Sequence, residues 1–246
     1  MPLQLADVTE HLTPQERATD ALAPAKAQAL AASIHEHGFA LLTGDVFPAD
    51  ALDAVHPRLQ FDAVERFGGQ LPVNRSAFAE DVRGHANVSL PRTAPFVRKE
   101  IVANPVVEQV VAATLGPGAY LNLVGGNMNY PGSGEQVLHM DGTWQFANEG
   151  DAAAAGSAWP CPCHLLVVQV VFFDTSEQNG ATEIWPSTHM LPELGSCNKF
   201  EEPEETQARF IAMSEKRRQH HPPMRLCIPK CGVGFRDARL AHRGVP

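Results

Sequence analysis

The sequence predicts a mainly β protein with flanking helices, of the α+β class, its helices gathered in the first half and a β-core in the second. Three observations carry this expectation. Helix signals, with caps, first-turn prolines and terminal glycines, fall before residue 118. Short β-rich segments punctuated by Gly, Pro, Asn and Asp follow it, as a barrel or sandwich requires. The 246 residues are 44% hydrophobic and 19% charged, an ordinary globular composition that is long enough for one sizeable core.

Taken in order, Thr13-Pro14-Gln15-Glu16 is a capping box with proline at the first helical position. The helix it starts is expected to break at Pro24. A second amphipathic helix then runs to Glu36 or His37 and stops at Gly38. Residues 39–43 read as a buried strand, and a further helix is expected from Pro48 to about Phe61. Residues 66–98 show weak periodicity and read as loop-rich. Asn104-Pro105 opens a helix over 106–115, closed by Gly116-Pro117-Gly118. Strands are then expected at 120–124, 127–130, 136–140, 164–173, 181–185, 224–228 and 233–236. Two stretches interrupt this series. Residues 148–160 are Ala/Gly-rich and read as a mobile loop, whereas 201–218 are charged and helix-forming. No internal repeat is present. The expected organisation is one domain over 1–246, with 1–118 mostly helical and 119–246 forming the β-core.

Charge and composition exclude several functions. The net charge of −9 argues against a nucleic-acid partner, because phosphate binding needs clustered Lys and Arg. The longest apolar run, 165–173, is too short to cross a bilayer and is interrupted by Gln169. The N-terminus lacks the basic start and apolar stretch of a secretory signal, so the expectation is a cytoplasmic enzyme. Five cysteines without a signal segment do not make a disulfide framework. Cys161, Cys163 and His164, taken with Cys227 and Cys231, have poor spacing for structural zinc.

The sharpest chemical feature is Val137-Leu138-His139-Met140-Asp141-Gly142. Strand residues two apart point to the same face, so His139 and Asp141 project together. An imidazole and a carboxylate on one face are two of the three ligands of a two-His-one-carboxylate facial triad, which leaves positions open on iron(II). With 11 His and 28 acidic residues, chance alone supplies about one such pair. The support comes from His242, which ends a late strand pair and is the candidate third ligand.

In this order, His139-Met140-Asp141, residues 174–180 leading to Trp185-Pro186-Ser187-Thr188-His189, and Phe235-Arg236-Asp237 running to His242-Arg243-Gly244 resemble the phytanoyl-CoA dioxygenase family of iron(II)/2-oxoglutarate oxygenases. Residues 37–44 and the helix after Asn104-Pro105 are similar to that family's early segments, so the likeness spans most of the chain. It implies a double-stranded β-helix (a jelly roll, cupin-like). It also implies Fe(II), 2-oxoglutarate and O2 as cofactor and co-substrates, and a small organic molecule as substrate. The implied chemistry is decarboxylation of 2-oxoglutarate to succinate coupled to oxidation of a C–H bond. Related halogenases replace the carboxylate ligand with a small residue, so Asp141 favours hydroxylation or a related oxidation.

The family anchors the far carboxylate of 2-oxoglutarate with an Arg shortly beyond the distal His, a role that suits its planar fork. Here the sequence runs four residues past His242. The expectation is therefore a core lacking its C-terminal strand, or else Arg225, Arg236 or Arg239 in the anchoring role. Gln169 resembles a co-substrate contact, Asn127 and Asn129 share a strand face toward the same pocket, and Trp144 is a candidate wall. His189 is expected to stabilise a turn, and His220 and His221 to lie at the surface. Two alternatives remain open on the residues alone. One is a facial-triad metal enzyme that does not use 2-oxoglutarate, and the other is a truncated, non-catalytic homologue.

Overall fold

The computed structural model describes residues 3–67, 73–76, 79–191, 204–218 and 221–246. A short strand, β1 (Thr9–His11), leads to helix α1 (Pro14–Thr19). The Thr13 hydroxyl accepts from the Glu16 amide at 3.2 Å, and Glu16 Oε2 accepts from the Thr13 amide at 2.9 Å. Two amides that a helix start leaves without partners are thus satisfied reciprocally. The helix stops before Pro24 can break it, because Asp20 takes the left-handed conformation at φ 52°. Pro24 instead opens α2 (Pro24–His37), where its fixed φ suits the first turn. Gly38, at φ 88°, ends α2 where expected.

Strand β2 (Phe39–Thr43) matches its expected bounds and is buried on both faces, which accounts for its unbroken apolar run. Helix α3 (Ala49–Phe67) runs past the expected end at Phe61 and carries Pro57 inside it. A single turn, α4 (Lys99–Val102), precedes α5 (Pro105–Leu115). Asn104 Oδ1 accepts from the amides of Val106 and Val107 at 3.0 and 3.2 Å, the cap that the sequence predicts.

Residues 66–98 depart from the loop-rich expectation. They contain β3 (Val73–Ser76), β4 (Ala79–Arg83) and β5 (His85–Ser89). β3 pairs with β4, and β5 pairs along its length with β6 (Gly125–Asn129). Partners in the fold, rather than local alternation, make these segments strands. Residues 120–124 show the reverse. No described strand pairs with them, and Tyr120, Leu121 and Leu123 stay exposed although their composition favours β. Residues 148–160 are likewise not a plain loop. Asn148 caps α6 (Glu149–Ala154), accepting from the Asp151 amide at 3.0 Å, and consecutive alanines carry that turn.

The remaining elements are β7 (Leu166–Val170), β8 (Glu183–Ile184), α7 (Glu204–Arg217), β9 (Met224–Arg225), β10 (Val233–Asp237) and β11 (His242–Arg243). Helix α7 falls within the helix-forming stretch 201–218. The larger sheet has the order β1-β2-β10-β7, and a smaller one has the order β11-β8-β9. Each face of the larger sheet has its own core. Ala40, Leu42, Val233 and Phe235 pack outward against Leu30 and Ile34 of α2 and Val106, Val107 and Val110 of α5. Phe39 and Leu41 point inward and meet Ile184, Leu226 and Ile228. Beyond the smaller sheet, Trp185, Leu138 and Met140 pack on Phe210 of α7. The result is layered: helices, larger sheet, smaller sheet, helix. These mixed sheets with flanking helices match jelly-roll proteins, and the described strands do not close into a barrel.

Candidate metal centre

The segment expected as a strand over 136–140 makes a single β-bridge, His139 with His242. The bridge is two-way: the His139 amide donates to the His242 carbonyl at 3.0 Å, and the His242 amide donates back at 2.9 Å. On either side the Gln136 amide donates to the Gly244 carbonyl, and the Asp141 and Gly142 amides both donate to the Ala238 carbonyl. Gly142 allows this approach, since a Cβ there would lie 2.9 Å from Ala238 Cβ. Two distant stretches of chain are thereby laced edge to edge, and one face of the lacing brings His139, Asp141 and His242 together.

That face carries the expected triad. Donor atoms of His139, Asp141 and His242 all lie within 4.8 Å of one another, the one such cluster among the described residues. His139 Nε2 is 3.7 Å from Asp141 Oδ1, and His242 Nε2 is 3.4 Å from Asp141 Oδ2. The two rings sit 4.4 Å apart between centroids, tilted by 52°. Both imidazoles are buried, whereas the Asp141 side chain is 38% exposed, so the cluster is reached from one side.

Hydrogen bonding sets the tautomers. His139 Nδ1 lies 2.7 Å from the Val137 carbonyl and His242 Nδ1 lies 2.9 Å from the Leu240 carbonyl. A carbonyl only accepts, so each Nδ1 carries the proton and each Nε2 lone pair faces the cluster, as metal ligation requires. Burial, followed by the nearby Arg236 charge, pushes the pKa of His242 down, which keeps its ring neutral. For Asp141, burial pushes upward, but the Arg236 guanidinium bonded to Oδ2 pulls the other way and outweighs it. Its carboxyl stays ionised, held well below the usual range. Two neutral imidazoles and a carboxylate suit a divalent cation of intermediate hardness, and the donor set fits iron(II).

The three candidate arginines separate clearly. Arg239 is buried in a bidentate pair with Asp237, Nε to Oδ1 at 2.9 Å and NH2 to Oδ2 at 2.6 Å, and it also donates to the Cys161 carbonyl. Arg225 donates to the Ala181 carbonyl and lies 4.0 Å from Glu183. Arg236 alone of the three reaches the cluster, with NH2 2.5 Å from Asp141 Oδ2 and NH1 3.3 Å from His242 Nδ1.

Other expected positions are placed as follows. Gln169 lies opposite Gly234 on the inward face of the larger sheet, which it shares with Arg236. Asn129 donates to the carbonyls of Gly180 and Val245, tying loops together, while Asn127 on the same strand is exposed. Trp144 lies against Trp159 with the Arg239 guanidinium 4.7 Å over its ring. His189 Nε2 bonds the His35 carbonyl at 2.9 Å, the turn-stabilising role expected of it. His220 falls outside the described residues. Two participants escaped the sequence reading in their actual roles. Arg236 contacts Asp141, and Gln136 braces the segment carrying His139 and Asp141 by accepting from the Gly244 amide at 2.8 Å. An arginine directly after the apolar stretch Val233 to Phe235 of β10 was the available signal for the first.

A layered jelly roll that presents this donor set defines an iron(II)- and 2-oxoglutarate-dependent oxygenase. The family model "Phytanoyl-CoA dioxygenase (PhyH)" matches residues 34–245, so the chain belongs to the phytanoyl-CoA dioxygenase family. Solved structures agree on the fold. The epimerase SnoN of nogalamycin biosynthesis, in complex with Fe3+, alpha ketoglutarate and nogalamycin RO, superposes with a TM-score of 0.57 at 17% identity, over 91% of this chain and 78% of that one. The apoform of EctD from S. alaskensis gives 0.56 at 16% identity, over 97% and 75%. The carbocyclase SnoK of nogalamycin biosynthesis gives 0.55 at 12%, over 100% and 80%. Fe(II), 2-oxoglutarate and O2 are accordingly the cofactor and co-substrates. No helix among the described residues is long and apolar enough to cross a membrane.

Proposed function

We propose that His139, Asp141 and His242 are the iron ligands of this oxygenase and that its substrate is a small organic molecule oxidised at a C–H bond. The observation carrying this reading is the cluster itself: three donors within 4.8 Å, with both Nδ1 protons committed to backbone carbonyls. Iron(II) there, with 2-oxoglutarate and O2, supplies oxidising power that no side chain has. The chain's own residues do the rest. His139 and His242 present Nε2 in a fixed orientation, Asp141 supplies negative charge, and the lacing of the ligand segment to residues 238–244 holds all three in register. Gln169, on the inward face beside Arg236, is the proposed co-substrate contact. The small-molecule reading is supported by the SnoN complex, whose ligand is nogalamycin RO.

The test is anaerobic addition of iron(II) and 2-oxoglutarate, watched for a weak charge-transfer band in the visible. The wild-type chain should show it. His139→Ala, Asp141→Ala and His242→Ala should each lose both the band and bound iron while remaining folded, because two protein ligands hold iron(II) poorly. Any variant that keeps both removes its residue from the ligand set. Iron binding without the band would favour a triad enzyme that does not use 2-oxoglutarate.

A further inference from the structure

We infer that Arg236 is a positioning residue for the carboxylate ligand. By holding Oδ2 of Asp141, it leaves that side chain one oxygen for the metal and keeps the remaining coordination positions open. The inference rests on the reading of His139, Asp141 and His242 as ligands.

Strand alternation puts Arg236 where it can do this. Val233 and Phe235 of β10 pack outward on the helices, so Gly234 and Arg236 point inward, with Arg236 flanked by Phe39 on one neighbouring strand and Val167 on the other. Its side chain is 10% exposed. A guanidinium so enclosed needs a partner, since removing it from water costs several kcal/mol. Among the described residues its ion-pair partner is Asp141. The neighbouring arginines are spoken for elsewhere, Arg239 by Asp237 and Arg243 by Glu135 and Glu183. The contact with His242 is not a second hydrogen bond, because Nδ1 already donates to Leu240. Arg236 is therefore committed to one oxygen of one ligand.

Both Asp141 oxygens face imidazole nitrogens, Oδ1 toward His139 and Oδ2 toward His242. An unrestrained carboxylate in that position is free to chelate through both and use up a place needed by co-substrate or oxygen. A charge-assisted bond to Oδ2 opposes this, and partners behind metal ligands commonly fix their orientation in this way. Charge balance points the same way. Neutral imidazoles and one carboxylate leave a divalent ion with one net positive charge. The guanidinium adds a second, which matches the two negative charges of 2-oxoglutarate.

The test uses Mn(II) alone as probe and counts metal-bound water by water-proton relaxation. The wild-type chain should retain about three exchangeable waters, as a one-oxygen carboxylate and two imidazoles leave open. Arg236→Met should lose about one third of the inner-sphere relaxivity as Asp141 closes on the metal through both oxygens. Arg236→Gln, too short to reach Oδ2, is run beside it with the same expected fall, so the failure of either variant to fold leaves the other to decide. A wild-type count of about two waters overturns the inference without any variant. So does a folded Arg236 variant with unchanged relaxivity, which would make the arginine merely a packed ion pair. If His139→Ala leaves Mn(II) binding intact, the ligand assignment itself has failed, an outcome distinct from the other two.

Discussion

Arg239→Met should destabilise the protein more than removal of any single surface charge would. The Arg239 and Asp237 side chains are 1% and 2% exposed and meet through two hydrogen bonds of 2.9 and 2.6 Å. Arg239 NH1 also donates to the Cys161 carbonyl at 2.8 Å, and the guanidinium covers the face of Trp144. With the guanidinium gone, the buried Asp237 carboxylate keeps one bond within this pair, from the Arg239 backbone amide at 2.9 Å. Breaking a buried pair from one side costs about 3–5 kcal/mol, a large part of a total stability on the order of 5–15 kcal/mol. Replacing both partners, as Asp237→Leu with Arg239→Met, removes the stranded charge and should cost only about 1–3 kcal/mol for the capping bond that is lost. Urea denaturation of wild type, Arg239→Met and the double variant, compared at constant m-value, measures this directly. The pH dependence adds a sign. The stranded carboxyl in Arg239→Met takes up a proton more readily folded than unfolded, so its deficit should shrink as pH falls. A single variant within about 1 kcal/mol of wild type, or a double variant worse than the single, would refute the reasoning.

Other outcomes follow from the same geometry. Gly38→Ala should cost about 1–3 kcal/mol by thermal melting, because φ is 88° there and a Cβ would sit 2.5 Å from Leu240 Cδ1 and 2.7 Å from His189 Nδ1. Glu16 is held down to about 2 by the Ala23 amide first, then by Lys26 and the Thr13 amide, against an ordinary value of 4.5. Its contribution is therefore complete above pH 4.5 and is lost as pH falls toward 2, an acid-side slope that Glu16→Gln should flatten. Gln169→Ala should raise the requirement for 2-oxoglutarate more than that for the organic substrate in steady-state assays. Equal changes in both would move Gln169 to a structural role.

Legibility in the sequence followed the range of the interactions. The Thr13–Glu16 box, the Asn104 cap and Gly38 are local devices whose residues are their own signal, and each stands where it was expected. The candidate cluster was legible because His139 and Asp141 stand two residues apart, close enough for one short segment to present both. What failed was set by partners remote in sequence. Residues 120–124 have strand composition but no described partner, whereas β5 has little periodicity and gains its pairing from β6. In 148–160 the capping asparagine and the alanines outweighed the glycines. In the sequence Arg236 is one of three arginines, with Arg225 and Arg239, that could anchor the co-substrate, and nothing local separates them. Only the register of β10 between β2 and β7 reveals that the Arg236 charge is already engaged at Asp141.

The two-way bridge between His139 and His242 has a consequence for assembly. The ligand set does not pre-exist in any short peptide, since it forms only when stretches roughly a hundred residues apart have closed on each other, a costly loop to shut and a slow contact to make. A metal ion that recognises all three donors binds the closed chain and ignores the open one. Occupancy at a hundredfold excess over the dissociation constant then adds about 2.7 kcal/mol of stability by mass action. If His139, Asp141 and His242 hold the iron as proposed, the bridge makes the metal a fastener between distant parts of the polypeptide, and its removal should lower the melting temperature.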